Sequence, residues 1–179
     1  MHVVSTMGSG DLRRELELDS VIQALKEEFD IEANKHSNSM ATVRLESGGP
    51  AFTLYRTGSY QIRGTESRQH LFDANKELLS ALRGIGLEIP DTAFDHKNSV
   101  YLEDLETTVE LETLAVHLGL ENVEYEPEQF PGVIYRPPEP GTVNLIFASG
   151  KTIISGTIHE EIAQESAAHL RQKLASLST

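Results

Sequence analysis

The chain contains no cysteine. That excludes disulfides and thiolate metal sites and accommodates a reducing interior. No apolar run approaches the length that crosses a bilayer, so no membrane partner is expected. The opening Met1-His2-Val3-Val4 lacks a charged flank, an apolar stretch and a cleavage site, so no signal peptide is expected and the chain reads as starting directly at its first core strand. Positive charge is scarce: 15 Lys and Arg face 28 Asp and Glu, for a net charge of -13. Taken alone, this argues against extensive phosphate contact. Residues 1–92 carry ten basic and fourteen acidic side chains and residues 93–179 carry five and fourteen, so the deficit is larger in the second half. Motifs for catalysis are also missing. There is no Walker A loop and no G-x-G-x-x-G, and Gly8-Ser9-Gly10 reads as a short turn. The seven His are scattered without metal-ligand spacing. Asp104 and Glu106 read as loop or strand-edge residues, with nothing to mark them as a general acid and base. Neither an enzyme nor a cofactor is expected.

What is present is a repeat. Hydrophobic residues make up 39 % of the 179 positions, enough for a packed core. A shift of 92 places Gly58 on Gly150, Gly64 on Gly156, Arg44 on Arg136, Gly49 on Gly141, Ile62 on Ile154, Leu78 on Leu170 and Leu82 on Leu174. Near the start the better shift is 93, with Leu18 on Leu111 and Leu25 on Leu118. These matches divide the chain into a first repeat, 1–92, and a second, 93–179.

Each repeat reads alike. A short strand (His2–Met7; Asn98–Leu102) is followed by a helix (Ser20–Phe29; Glu112–Leu118). Three strands come next: 41–45, 51–55 and 60–63 in the first repeat, and 133–136, 142–148 and 152–155 in the second. A long amphipathic helix closes each. The first carries Leu71, Ala74, Leu78 and Leu82, and the second Ile162, Ala163, Ser166, Ala167, Leu170 and Leu174. Thr157-Ile158-His159-Glu160 has capping-box spacing at the start of the last helix. The fold class is therefore α+β with antiparallel sheet.

The segment Tyr125-Glu126-Pro127-Glu128-Gln129-Phe130-Pro131-Gly132-Val133-Ile134-Tyr135-Arg136 resembles the signature of the TATA-box-binding protein family, archaeal type. Leu145-Ile146-Phe147-Ala148-Ser149-Gly150-Lys151 and Ile154-Ser155-Gly156 resemble its next two motifs. The resemblance covers nearly all of 98–177, and the first repeat joins it only through the duplication. It implies a pseudo-twofold saddle of antiparallel strands with helices on the convex side, sitting on A/T-rich promoter DNA in the minor groove. The family is itself a standard instance of minor-groove kinking, so that behaviour comes from the resemblance and not from these residues. By position, Phe130 and Phe147 would be the wedge pair, with Leu145 and Ile153 on the groove floor. Asn98 would donate to base acceptors, Ser155 would take the role the family gives Thr, and Arg136 and Lys151 would meet phosphates. Glu126 and Glu128 lie where the family contacts transcription factor B, and through it the RNA polymerase machinery. The resemblance further implies a cytoplasmic protein acting on the chromosome.

The first repeat departs from this pattern. Asn38 stands for Phe130 and Tyr55 for Phe147, Ala41-Thr42 for Val133-Ile134, Gln61 for Ile153, Arg63 for Ser155 and Ser59 for Lys151. His2 stands for the expected Asn, and Arg44 alone keeps its phosphate role. Tyr55 and Arg63 remain candidates for DNA contact. Asn38 and Thr42 offer little apolar area to offset unstacking, so a one-sided kink at most is expected. The rival reading is a diverged paralogue that keeps the Glu126 and Glu128 loop and acts as a protein-interaction module without bending DNA.

Overall fold

A computed structural model describes residues 1–177. The chain order is β1 (His2–Asp11), α1 (Leu18–Glu28), β2 (Glu32–Ser37), β3 (Met40–Arg44), β4 (Ala51–Tyr55), β5 (Ser59–Thr65), α2 (Arg68–Gly84), β6 (Phe94–Asp104), α3 (Leu111–Leu118), β7 (Val123–Glu124), β8 (Gly132–Tyr135), β9 (Val143–Phe147), β10 (Lys151–Thr157) and α4 (Glu160–Leu177). A 3₁₀ turn at Leu120–Asn122 leads into β7.

Two compact units form. One is Ser5–Lys97; the other is Met1–Val4 together with Asn98 onward. The units thus trade strand beginnings. Met1 and Val3 pack against Tyr101, Ile154, Ala163 and Ala167 of the second unit. Phe94 packs in the first, stacked on Tyr60 at 5.9 Å and edge-on to Phe72 at 5.4 Å.

In the first unit the antiparallel strand order is β2-β3-β4-β5-β1 and in the second β7-β8-β9-β10-β6. Strict alternation along β3, β4 and β9 sends one face inward and leaves the other partly exposed. In the first unit the inward residues Val43, Phe52, Leu54 and Ile62 meet Leu18, Val21 and Leu25 of α1 and Leu71, Leu78 and Leu82 of α2. In the second, Val133, Tyr135 and Ile146 meet Leu111, Leu114 and Leu118 of α3 and Leu170 of α4. Helices therefore cover one sheet face in each unit, and the other stays open.

The duplication is also written in the turns. Asp11 Oδ1 accepts from Arg13 N at 2.7 Å, and Asp104 Oδ1 accepts from Glu106 N at 2.9 Å. Arg13 and Glu106 both sit in the left-handed region, at φ 54 and 56. The loop so formed crosses the next hairpin, where Leu12 N donates to Gly58 O at 2.9 Å and Leu105 N to Gly150 O at 3.1 Å. At Gly58 a Cβ would lie 2.0 Å from Arg14 O, and at Gly150 2.1 Å from Thr107 O, so both close approach and positive φ demand glycine there. Glu17 then caps α1 through Ser20 N at 2.8 Å, and Glu110 caps α3 through Thr113 N at 2.9 Å. Asp104 is thus a turn-builder, which the sequence reading left without a role.

Three expectations are corrected, and one hairpin is new. Gly8-Ser9-Gly10 is not a turn but lies in the C-terminal part of β1, paired with Ile62, Gln61 and Tyr60. The glycines make room, since a Cβ at 8 would meet the Phe94 ring at 2.4 Å and one at 10 the Tyr60 ring at 2.5 Å. Thr157 does not form a capping box with Glu160. It ends β10, and its hydroxyl accepts from His159 N at 3.0 Å. The new hairpin is at 36–40, where β2 runs to Ser37, Ser37 pairs with Met40, and Asn38-Ser39 is a two-residue turn. Finally, the register makes Ser5 and not His2 the counterpart of Asn98. Thr6 pairs with Thr65 as Ser99 pairs with Thr157, and Ser5 and Asn98 each precede those residues.

Candidate nucleic-acid interface

The open face of each unit is built from the partly exposed residues of its strands. In the second unit one row crosses four strands: Ile134 on β8, Leu145 on β9, Ile153 on β10 and Leu102 on β6, each paired with the next. All four are half-buried and all are aliphatic. Val143 and Ser155, mutually paired, lie one step along the strands. Phe147 lies a step to the other side, opposite Gly132.

Phe130 and Phe147 are brought together at 5.7 Å between ring centroids and 59° between planes. Both are partly exposed and neither is under the helices. Their seat is Gly132, where a Cβ would meet Ile146 O at 2.8 Å, Phe130 Cε1 at 3.0 Å and Phe147 Cδ1 at 3.3 Å. The loop holding Phe130 is fixed by its own backbone, with Gln129 N and Phe130 N both donating to Glu126 O at 2.9 Å. The Glu126 and Glu128 side chains on that loop are exposed.

Asn98 lies at the bulge where β10 slips against β6. Its Oδ1 accepts from Gly156 N at 3.0 Å. Lys151 is exposed at the start of β10. Arg136 is exposed as well, but its guanidinium sits 2.6 Å from Glu124 Oε1, so its charge already has a partner.

The first unit has the same frame with other chemistry. The row equivalent to Ile134-Leu145-Ile153-Leu102 is Thr42-Thr53-Gln61-Ser9. His36 Nε2 lies 2.9 Å from Thr42 Oγ1, Thr42 Oγ1 lies 3.4 Å from Thr53 Oγ1, and Arg63 donates to Gln61 Oε1 at 3.1 Å. Tyr55 is partly exposed and pairs with Met40, which fills the place that Gly132 leaves open in the second unit. Asn38 is exposed at its hairpin turn, so no second aromatic pair forms. Arg63 is exposed, and the Arg44 guanidinium donates to Gly49 O.

The sequence reading named Leu145 and Ile153 on this face and missed Ile134, Val143 and Leu102 beside them, and Thr53 and Ser9 in the first unit. The signal for all of these was the two-residue alternation along each strand. Among the described residues, no group of three or more His, Cys, Asp or Glu could hold a metal ion, and no helix is long and apolar enough to cross a membrane.

Comparison with known proteins adds kinship to this geometry. The family model described as transcription factor TFIID (or TATA-binding protein, TBP) matches residues 1–85 and again 93–177. TATA-box-binding protein C of Halobacterium salinarum is 40% identical, over 99% of this chain and 98% of that protein. The TATA-box-binding protein of Haloarcula marismortui is 32% identical, over 98% of this chain and 92% of its own length. Among solved structures, Methanococcus jannaschii TBP superimposes with a TM-score of 0.80 at 28% identity, covering 98% of each chain.

Proposed function

This chain belongs to the TATA-box-binding protein family, whose members are DNA-binding transcription factors and not enzymes, and from that premise we propose that it kinks promoter DNA from the minor groove through its second unit alone. The observation that carries this reading is the tilted Phe130–Phe147 pair, seated over Gly132 beside a continuous aliphatic row. Unstacking a base step costs on the order of a few kcal/mol. Two phenylalanine rings leaving water on entry return about 1.5–3 kcal/mol each, and the aliphatic row adds to that. Ser155 and Asn98 supply hydrogen bonds to the bases, and Lys151 and Arg136 meet phosphates at the edge. In the first unit Arg44, Arg63 and Tyr55 contribute contacts without a wedge, so the bend is one-sided.

The test is the end-to-end distance of a short TATA-containing duplex labelled at both ends. Binding should shorten it. Phe147→Ala should abolish the shortening and weaken binding about 30-fold, equivalent to about 2 kcal/mol. An unchanged distance on saturable binding would sink the kinking role.

A second reading concerns the loop before β8. Glu126 and Glu128 are exposed on a backbone already fixed by two hydrogen bonds, so little ordering cost opposes a partner. We propose that they contact transcription factor B and, through it, the polymerase. Glu126→Arg with Glu128→Arg should eliminate factor B capture while the far-ultraviolet spectrum stays constant. Capture at the unaltered level would remove the assignment.

A further inference from the structure

The minor groove presents acceptors at every base pair, N3 of purines and O2 of pyrimidines, and G·C adds one donor, the guanine N2 amino group. A groove floor without acceptors leaves that amino group desolvated and unpaired, at a cost. A floor that carries hydroxyl or amide oxygens can take it up. The two units differ in this one property at equivalent positions. The second unit's row is Ile134, Leu145, Ile153 and Leu102, which has no side-chain acceptor. The first unit's row is Thr42, Thr53, Gln61 and Ser9, which has one on every strand. Three of these four are already oriented, Thr42 by His36 and Thr53, and Gln61 by Arg63. A hydroxyl can serve as donor to an A·T pair and, by rotating its O–H with the oxygen in place, as acceptor from a G·C pair.

We infer that the two units have different base preferences: the second unit's half-site requires A·T pairs, whereas the first unit's half-site admits G·C, with Thr53 and Gln61 as the residues that determine it. The inference rests on the minor-groove reading above and deepens it. The target element is then half A/T-rich and half mixed, and the protein is oriented on it by composition.

The experiment uses the full chain and a palindromic all-A·T element of about 20 base pairs, with binding read by fluorescence anisotropy. On a palindrome the protein can choose its orientation. G·C placed at the floor steps of one half should therefore cost no more than about 3-fold, because the first unit takes that half. G·C in both halves should cost about 10-fold or more, the usual effect of a wrong base pair. Inosine·C in both halves, which lacks the N2 amino group, should restore binding. Thr53→Leu with Gln61→Ile should make the single-half substitution as costly as the double. The reverse variant, Leu145→Thr with Ile153→Gln, should make the double substitution tolerable. All four positions are partly exposed, and circular dichroism checks that each variant folds.

A single-half penalty equal to the double one in the unaltered protein would overturn the inference while leaving minor-groove binding intact. So would variants that leave the pattern unchanged. Absence of saturable binding to the all-A·T element would defeat the minor-groove reading itself, and this inference with it.

Discussion

A methyl group at position 132 has no free space to occupy. It would press on Ile146 O at 2.8 Å and on both rings of the aromatic pair. Gly132→Ala should therefore displace Phe130 and Phe147 before it unfolds anything, with a stability loss of about 1 kcal/mol and a larger loss of DNA affinity. Equal losses in thermal melts and in binding titrations would contradict this. Glu103 is a residue of another kind. Burial raises its pKa, but the amino group of Met1 at 3.0 Å and the Arg171 guanidinium outweigh that and hold it below the ordinary value. A depressed carboxylate stabilises the fold above its unfolded pKa and ceases to do so as pH falls through the folded one. The contribution is thus complete above about pH 4.5 and fades below it. Glu103→Gln should cost about 1 kcal/mol at pH 7, after allowance for solvent, and less at pH 3. Urea melts at the two pH values decide it.

At the scale of elements, the sequence was legible wherever a turn or a period repeats. Leu71, Ala74, Leu78 and Leu82 announced α2, and all four are buried. Strands β3, β4 and β9 were visible in their alternation. β2 was not, because Glu32 and the run from Asn34 to Ser37 are exposed on both faces and give no period to read. Asn38 and Phe130 correspond in the repeat but differ in setting, since Asn38 lies in a two-residue hairpin turn and Phe130 in the longer loop before β8. The pairing of Phe130 with Phe147 was legible because its motif survives in full. The polar row of the first unit was only half legible: Gln61 was flagged, but Thr53 and Ser9 gain meaning only through register.

Beneath the second unit's sheet, Thr142, Asn144 and Ser166 form a buried triangle: Ser166 Oγ donates to Asn144 Oδ1 at 3.0 Å, Asn144 Nδ2 to Thr142 Oγ1 at 3.2 Å, and the two hydroxyls lie 2.8 Å apart. It ties β9 to α4, where the first unit has Phe52 packed in its core near Ala74. Asn144→Leu should cost about 1–3 kcal/mol by leaving both hydroxyls short of partners, and adding Ser166→Ala should recover part of the loss. Strict additivity of the two in denaturant melts would show the triangle to be energetically idle.

For the molecule as a whole, the net charge of -13 and the count of cations on the open faces set the response to salt. Arg44, Arg136 and Lys151 are the proposed phosphate contacts, Arg63 is a fourth cation proposed to touch DNA, and Glu124 already occupies Arg136. With about four contacts at most, the slope of log affinity against log salt should be no steeper than about -4. Repulsion between the acidic surface and DNA, which salt screens, should flatten it further. A slope near -8 in anisotropy titrations would mean that phosphates are held by residues other than these.

The trade of strand beginnings has a consequence for anyone who would divide the chain. A cut between residues 92 and 93, where the repeat begins again, would strip Phe94 from between Tyr60 and Phe72 and would take Met1 and Val3 from the side chains of Tyr101 and Ile154. Neither fragment would hold a complete interior. The repeat begins again at one seam and each interior closes at another, so the second half would need residues 1–4 spliced onto it and the first would have to run on to Lys97.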